Sequence, residues 1–319
     1  MKLILPTDIV EDLKPQLPSD VNVVRLDSDG NIDGDATDAE VYFSWFLLKP
    51  TILNTVLEAA PKLRWHHAPN AGVDRILTPT NLEQYLKRDI TLTNGAGVHS
   101  IPIAEFAIAF MLAHAKHLRE LYDLQDQHLW KRGFPIRELL DSTLLIIGAG
   151  GIGQEIAARA KAFGMRILGS RRDPQALPNF DKIVGADEWR SLLSESDYVV
   201  VATPLTPETR GLIDEAALQA MRPDTYLINI ARGGVVDEPA LIKALQEGWI
   251  AGAGLDTVLT EPLPPESPLW SLPNVFLTPH CTGHSPRVKE RTLALFLDNL
   301  ERYRTGRSLR NVVDKKAGY

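Results

Sequence analysis

One stretch, Thr143 to Gly153 (TLLIIGAGGIG), constrains this chain more than any other. Thr143-Leu144-Leu145-Ile146-Ile147 is a short apolar, partly β-branched run, the pattern of a strand covered on both faces. Gly148, Gly150 and Gly153 then complete G-x-G-x-x-G. The first glycine permits a tight turn, the second lets backbone approach a pyrophosphate, and the third lets helix and strand pack closely. The run from Gln154 to Phe163 has helical periodicity, so the amides and the positive dipole end at its start would face phosphates. A glycine-rich turn alone would look the same. With a strand before it and a helix after it, the stretch predicts a dinucleotide site.

At 319 residues the chain suits two domains of ordinary size. Hydrophobic residues make up 44% and charged residues 24%, as in a globular protein. A net charge of −7 argues against a dedicated nucleic-acid binder. No apolar run approaches bilayer length, and the N-terminal LILP is too short for a signal-peptide core, so neither membrane insertion nor export is expected. The one cysteine, Cys281, excludes an intramolecular disulfide and any cysteine-rich metal site. That usage fits a reducing cytoplasm, and no metal is expected.

Residues 1 to 97 read as short strands at Leu3–Leu5, Val21–Leu26, Val41–Phe46, Leu63–His67 and Ile90–Thr93, with helices near Ile9–Lys14 and Thr51–Ala60. This alternation predicts a small, mostly parallel α/β domain. Asn70-Ala71-Gly72-Val73-Asp74 follows one of its strands, where a loop can turn successive amides towards an anion, although an ordinary turn would look the same. Ile103 to Leu118 is apolar nearly all round, which predicts a helix buried between domains or in a subunit interface. A more polar helix then runs to Trp130, a side chain expected to pack rather than to line a pocket. From Thr143 onward strands are expected at 143–148, 166–170, 198–203, 225–231, 252–257 and 274–278, with helices around 153–163, 188–194, 214–221 and 237–247, a doubly wound parallel sheet. A long amphipathic helix covers 285–304, and Asn311 to Tyr319 reads as poorly ordered.

The second strand of this sheet ends in Ser170-Arg171-Arg172, where an acid usually holds the ribose hydroxyls. Two guanidiniums there suit a 2′-phosphate, so NADP(H) is the preferred cofactor, with NAD(H) possible. Three later loops each follow a strand of the same sheet and carry Arg232, Glu261 and His280. Strand ends gather at one crevice in an open parallel sheet, so the three can converge. Arg232 is a fixed cation able to bind a carboxylate. His280 is a proton donor near neutral pH, and Glu261 beside it would favour imidazolium and fix its ring orientation.

With these residues in place, the chain resembles a D-isomer-specific 2-hydroxyacid dehydrogenase over nearly its whole length. The resemblance rests on NAGVD at 70–74, GAGGIG at 148–153, TPLTPET at 203–209, NIARGGVVDE at 229–238, GLDTVLTEPLP at 254–264 and TPH at 278–280. It implies two Rossmann-like or flavodoxin-like α/β domains with doubly wound parallel sheets and a cleft between them. The substrate-binding lid would comprise 1–98 plus 285–319, and the dinucleotide-binding domain 99–284. It implies that Arg232 binds the 2-oxo acid, that Glu261 and His280 form the acid–base dyad, and that Ala71, Gly72 and Val73 grip the substrate carboxylate. Cofactor contacts would come from Val98, Gly148, Gly150, Gly151, Ile152, Gly153, Ser170, Arg171, Arg172, Thr203, Pro204, Ala231, Arg232, Asp256 and His280. Counting along the family pattern from Gly153 puts the usual NAD-selecting Asp on Arg171. The resemblance also implies a homodimer through the 103–118 helix. The expected reaction is NADPH-dependent reduction of a small 2-oxo acid, of the glyoxylate or hydroxypyruvate kind, to the D-2-hydroxy acid.

Some residues depart from the family pattern. CTGH follows TPH at 281–284, where small residues are usual, so His284 reads as a pocket or helix-start residue and Cys281 as inert packing. One of His66 and His67 is expected to face inwards. Trp45, Phe46 and Leu47 suggest an apolar wall for the substrate or plain core packing. Among rivals of the same fold, a formate dehydrogenase would resemble its relatives in having Gln where Glu261 stands. A phosphite dehydrogenase keeps the Arg-Glu-His set but seldom prefers NADP. A dinucleotide-sensing corepressor of the C-terminal-binding-protein type is expected to carry extensions beyond this compact chain.

Overall fold

In a computed structural model of the protein, residues 1–46 and 49–318 are described; the suggested substrate wall at Leu47 lies outside them. The chain divides into two compact units, Met1–His99 joined by the chain from Ser285 onward, and Ser100–His284.

The first unit contains β1 (Lys2–Pro6), α1 (Thr7–Leu13), β2 (Asn22–Leu26), β3 (Ile32–Asp33), β4 (Val41–Phe43), α2 (Pro50–Ala59), β5 (Trp65–His67), α3 (Pro79–Lys87) and β6 (Thr91–Thr93), and later the C-terminal helix Pro286–Arg304. Its sheet runs β3-β2-β1-β4-β5-β6, parallel except for the short antiparallel β3. The strands are shorter than expected at Val41–Phe46 and Leu63–His67, because pairing stops at Phe43 and begins at Trp65. Side chains alternate across the sheet. One face packs Tyr42, Leu92 and Tyr85 with α2, and the other packs Leu3, Phe43 and Trp65 with Phe296 and Leu300 of the C-terminal helix.

Because both faces are covered, both His66 and His67 are buried at 0% exposure, where one was expected to be. His66 stacks on Tyr42 and hydrogen-bonds through Nδ1 to the Tyr85 hydroxyl. His67 Nδ1 pairs with Thr93 Oγ1 at 2.7 Å, and the same oxygen accepts the Trp65 indole N–H at 2.8 Å. Burial pulls both imidazoles down to about 3, and for His66 the nearby His67 adds to the effect. Unfolded imidazoles bind protons near pH 6.5, so below that pH the unfolded chain takes up protons that the folded one refuses. Stability should therefore fall on the acid side by about 1.4 kcal/mol per pH unit for each imidazole. Urea unfolding between pH 7.5 and 4.5 checks this. The double replacement His66→Phe, His67→Phe should flatten the slope, and an unchanged slope would clear the two histidines.

The C-terminal tail is ordered through Gly318, contrary to expectation. Val313 is buried, its amide donates to the Leu92 carbonyl at 2.8 Å, and Val312 bridges Thr93 antiparallel. An apolar anchor and pairing along the β6 edge outweigh the polar composition around them.

The second unit contains α4 (Ser100–Ala115), α5 (Leu118–Asp126), β7 (Thr143–Ile147), α6 (Gly151–Ala162), β8 (Arg166–Ser170), β9 (Lys182–Val184), β10 (Tyr198–Val201), α7 (Glu215–Ala220), β11 (Tyr226–Asn229), α8 (Glu238–Glu247), β12 (Gly252–Leu255) and β13 (Val275–Leu277). The helix expected near 188–194 is a 3-10 helix over Trp189–Glu195. Every strand pairs in parallel, in the order β13-β12-β11-β10-β7-β8-β9. α4 starts at Ser100 and ends at Ala115, and His117 in the left-handed region turns the chain into α5. Ala104, Ala107, Phe110 and Met111 of α4 bury against Ile146, Ile228 and α6. Phe110 lies so close to β12 that a Cβ on Gly254 would fall 2.7 Å from its ring.

α5 ends at Asp126, and Trp130 does not pack as expected: it is 92% exposed. Among the described residues no single helix is long and apolar enough to cross a membrane; α4 with α5 passes that test only as a pair bent by 64°.

Candidate active site

An all-parallel sheet puts the carboxyl ends of β7, β8, β10, β11, β12 and β13 along one edge of the second unit, where a doubly wound fold binds its ligand. Each glycine of the fingerprint has a distinct reason to be there. Gly148 has φ +104°, and a Cβ on it would lie 2.7 Å from the Ala202 carbonyl group. A Cβ on Gly153 would lie 2.5 Å from the Gly148 carbonyl oxygen. Around Gly150 the same construction meets nothing within 4 Å, the open approach that a pyrophosphate needs. Gly151, Ile152 and Gly153 form the first turn of α6, whose amides have no carbonyl one turn back to receive them. At neighbouring strand ends the hydroxyls of Thr203 and Thr257 are buried with no hydrogen-bond partner among the described residues. Open backbone at Gly150, first-turn amides and two orphaned hydroxyls fit a polar dinucleotide along this edge.

Of the three residues at the end of β8, Ser170 is 2% exposed, and its carbonyl accepts the Gly148 and Ala149 amides. Arg171 is half-buried and Arg172 exposed, so these two residues, unlike Ser170, are accessible at the strand end.

β11 delivers Arg232 through a short turn pinned by Asn229. Its Oδ1 accepts the Ala231 amide and its Nδ2 donates to the Arg232 carbonyl, both at 3.1 Å. The Arg232 guanidinium donates to the Ala231 carbonyl at 2.9 Å. Gly233 then presses against the next loop: a Cβ there would sit 2.0 Å from the Val258 carbonyl group. No other residue type fits without moving one loop off the other.

β12 delivers Asp256, which is 4% exposed. Its Oδ1 accepts Thr278 Oγ1 at 2.7 Å and the Cys281 amide at 2.9 Å, and its Oδ2 accepts Thr282 Oγ1 at 2.5 Å. The Asp256 carbonyl also accepts the His280 amide at 2.9 Å. This clamp holds His280 at φ +50°, a left-handed conformation that a non-glycine residue adopts only when its surroundings enforce it. There His280 Nδ1 lies 2.8 Å from Glu261 Oε2. The Glu261 Oε1 in turn accepts the Val258 amide at 3.3 Å.

The structure thus joins Glu261 to His280 directly and ties the Arg232 loop to the Glu261 loop through Gly233. Ala71, Gly72, Val73 and Val98 belong to the first unit, where Asn94 Nδ2 donates to the Ala71 carbonyl at 2.8 Å and anchors that loop behind β5. Trp45 is buried against Phe43, and Phe46 is exposed. His284 is exposed in the turn before the C-terminal helix. Burial first, then the Asp256 charge, raises the Cys281 thiol above its usual range and keeps it neutral. Asn229, Thr278 and Thr282 escaped sequence reading. The signal was present, since small polar residues beside a strand end commonly hydrogen-bond nearby backbone.

The family profile described as D-isomer specific 2-hydroxyacid dehydrogenase, NAD binding domain, matches residues 108–282. A glyoxylate reductase of Pyrococcus furiosus is 41% identical over 281 residues, covering 85% of this chain and 81% of its own length. A D-isomer specific 2-hydroxyacid dehydrogenase of Xanthobacter autotrophicus, solved with NADPH and MES, superposes with a TM-score of 0.85 at 30% identity, covering 100% of this chain and 99% of its own. An NADPH-dependent glyoxylate/hydroxypyruvate reductase of Sinorhizobium meliloti, solved with NADP and sulfate, gives 0.85 at 27% identity with the same coverage. The chain belongs to the D-isomer specific 2-hydroxyacid dehydrogenase family. It is an NAD(P)-dependent oxidoreductase whose substrate class is the small 2-oxo or 2-hydroxy acids.

Proposed function

We propose that the protein reduces a small 2-oxo acid, glyoxylate or hydroxypyruvate first among them, to the D-2-hydroxy acid with NADPH. The observation that carries this is the His280–Glu261 pair at 2.8 Å, held beside the Arg232 loop on the carboxyl edge of a dinucleotide-type sheet. When bound, the cofactor supplies the hydride for the keto carbon. His280 has its Nδ1 committed to Glu261, so Nε2 is the atom that passes a proton to the forming hydroxyl. The Glu261 carboxylate fixes the ring so that Nε2 keeps one direction during that transfer. Arg232 binds the substrate carboxylate and stabilises charge developing on the adjacent oxygen. The amides of Ala71, Gly72 and Val73 give that carboxylate a second hold.

On the cofactor side, the first-turn amides of α6 take the pyrophosphate, and Thr203, Pro204, Ala231, Asp256 and Val98 border the remainder. Arg171 and Arg172 hold the 2′-phosphate. The relatives named above, one called an NADPH-dependent reductase and two solved with NADPH or NADP, support the same choice. A homodimer through the 103–118 helix is supported by the exposed apolar side chain of Leu118 at its end and of Tyr122 just beyond it. Cytoplasmic placement is supported by the single cysteine.

The direct test follows nicotinamide absorbance with NADPH and NADH offered against glyoxylate, hydroxypyruvate, pyruvate and a bulky aromatic 2-oxo acid. The expected result is fastest turnover with NADPH and with glyoxylate or hydroxypyruvate. Silence with every acid despite tight cofactor binding would instead favour a dinucleotide-sensing module.

A further inference from the structure

Two consecutive peptide amides in the loop after β12 donate to different carboxylates. The Val258 amide donates to Glu261 Oε1 at 3.3 Å, and the Leu259 amide donates to Glu238 Oε2 at 2.8 Å. Glu238 is the first residue of α8, directly after the Asp237 cap, whose side chain accepts the Ala240 amide. The peptide joining Val258 to Leu259 also lies hard against Gly233, with the Leu259 nitrogen 2.4 Å from where a Cβ would stand. Glu238 takes no part in the proton transfer or carboxylate binding proposed above, yet its carboxylate reaches across to the loop that carries Glu261.

We propose that Glu238 is a positioning residue that aims Glu261 at His280 by fixing the Val258–Leu259 peptide. Gly233 bars that peptide from one side, and the Glu238 carboxylate holds its N–H from another. With the peptide plane fixed, the preceding amide of Val258 stays pointed at Glu261 Oε1, which leaves Oε2 for His280. Without the Glu238 acceptor the Leu259 N–H turns to solvent and the peptide rotates. Val258 then loses its line to Glu261, and the carboxylate gains rotamers that do not face the imidazole. The effect on the reaction is indirect: His280 keeps its backbone in place through the Asp256 clamp but loses the carboxylate that fixes the orientation of its ring.

The inference rests on Glu261 and His280 being the proton-transfer pair, and three variants separate it from a general effect on folding. Glu238→Ala removes the acceptor. Glu238→Asp keeps the negative charge in the first turn of α8, where it suits the helix dipole, but is one methylene too short to reach Leu259. Glu238→Gln loses the charge but keeps an oxygen able to accept the amide. The expected result is that Glu238→Ala and Glu238→Asp both lower kcat about five- to tenfold. The loss should fall on kcat alone, with KM for the 2-oxo acid and the Kd for NADPH each within about twofold of the parent. Glu238→Gln should restore kcat. Should Glu238→Asp behave as the parent while Glu238→Gln fails, the helix-terminal charge is the cause and the proposal is wrong. Three variants indistinguishable from the parent in kcat overturn it as well. His280→Ala run in parallel keeps the two readings apart: full activity there would sink the proton-transfer assignment itself, whereas an inactive His280→Ala beside unaffected Glu238 variants would sink only this inference. Should Glu238→Ala fail to fold, the Asp and Gln pair decides the matter alone.

Discussion

Replacing His280 with alanine is expected to lower kcat/KM for 2-oxo acid reduction by about 10²- to 10⁴-fold, the usual contribution of a positioned general acid. The Kd for NADPH should stay within about twofold. The glycine loop, the α6 amides and the β8 end that are proposed to hold the dinucleotide are built independently of the imidazole. The Asp256 clamp that enforces the positive φ at this position acts through Thr278, Cys281, Thr282 and the residue 280 backbone amide, all of which remain in the variant. Loss of turnover with the fold intact is therefore the expected outcome, read by steady-state kinetics beside fluorescence titration of NADPH. A variant retaining a third or more of the parental rate would remove His280 as proton donor.

The second large effect concerns cofactor choice. Arg171→Asp is expected to change the ratio of kcat/KM with NADPH to that with NADH by about 10²-fold or more in favour of NADH. A charge-assisted hydrogen bond to phosphate contributes about 1.5–3 kcal/mol, and an aspartate in its place adds repulsion towards the 2′-phosphate while offering acceptors to ribose hydroxyls. Ser170 is the wrong residue to change first, because it is buried and its carbonyl anchors the glycine turn. Arg172→Ala should act in the same direction and more weakly, as its side chain is the more exposed of the two. Parallel assays at fixed 2-oxo acid with each cofactor varied provide the measurement. A ratio unmoved in Arg171→Asp would reject the assignment of the 2′-phosphate to this strand end.

The parts of the molecule legible in the sequence were those written in local pattern. Thr143–Ile147 with the glycines after it announced a strand, a turn and a helix, because burial on both faces and the demands of a tight turn act within a dozen residues. The catalytic candidates were legible for a related reason: Arg232, Glu261 and His280 each follow a strand of one parallel sheet, and parallel strands bring their ends to one edge. What escaped depended on partners far along the chain. His67 is buried because the C-terminal helix covers its face of the sheet, with the Phe296 and His67 ring centres 5.7 Å apart, while His66 is buried against Tyr42 and Tyr85 on the opposite face. β3 and β9 are only two and three residues long, too short to show alternation. α3 has few apolar residues and is marked mainly by Thr78, which caps it, and Pro79. The Asp256 clamp needed the registry of two loops that sequence spacing does not provide.

The first unit is discontinuous, its opening segment ending at His99 and its last helix beginning beyond Ser285, whereas the second unit is one uninterrupted stretch. During synthesis this sets an order. The dinucleotide-type unit has all its strands once His284 has left the ribosome, but the first unit still lacks Phe296, Leu293 and Leu300, which cover Phe43 and Trp65. Until those residues emerge, the part of that sheet face around Phe43 and Trp65 that α1 does not cover lacks its packing partners. The segment made before the dinucleotide-type unit is thus completed only after it, and its aromatic side chains wait longest for their cover.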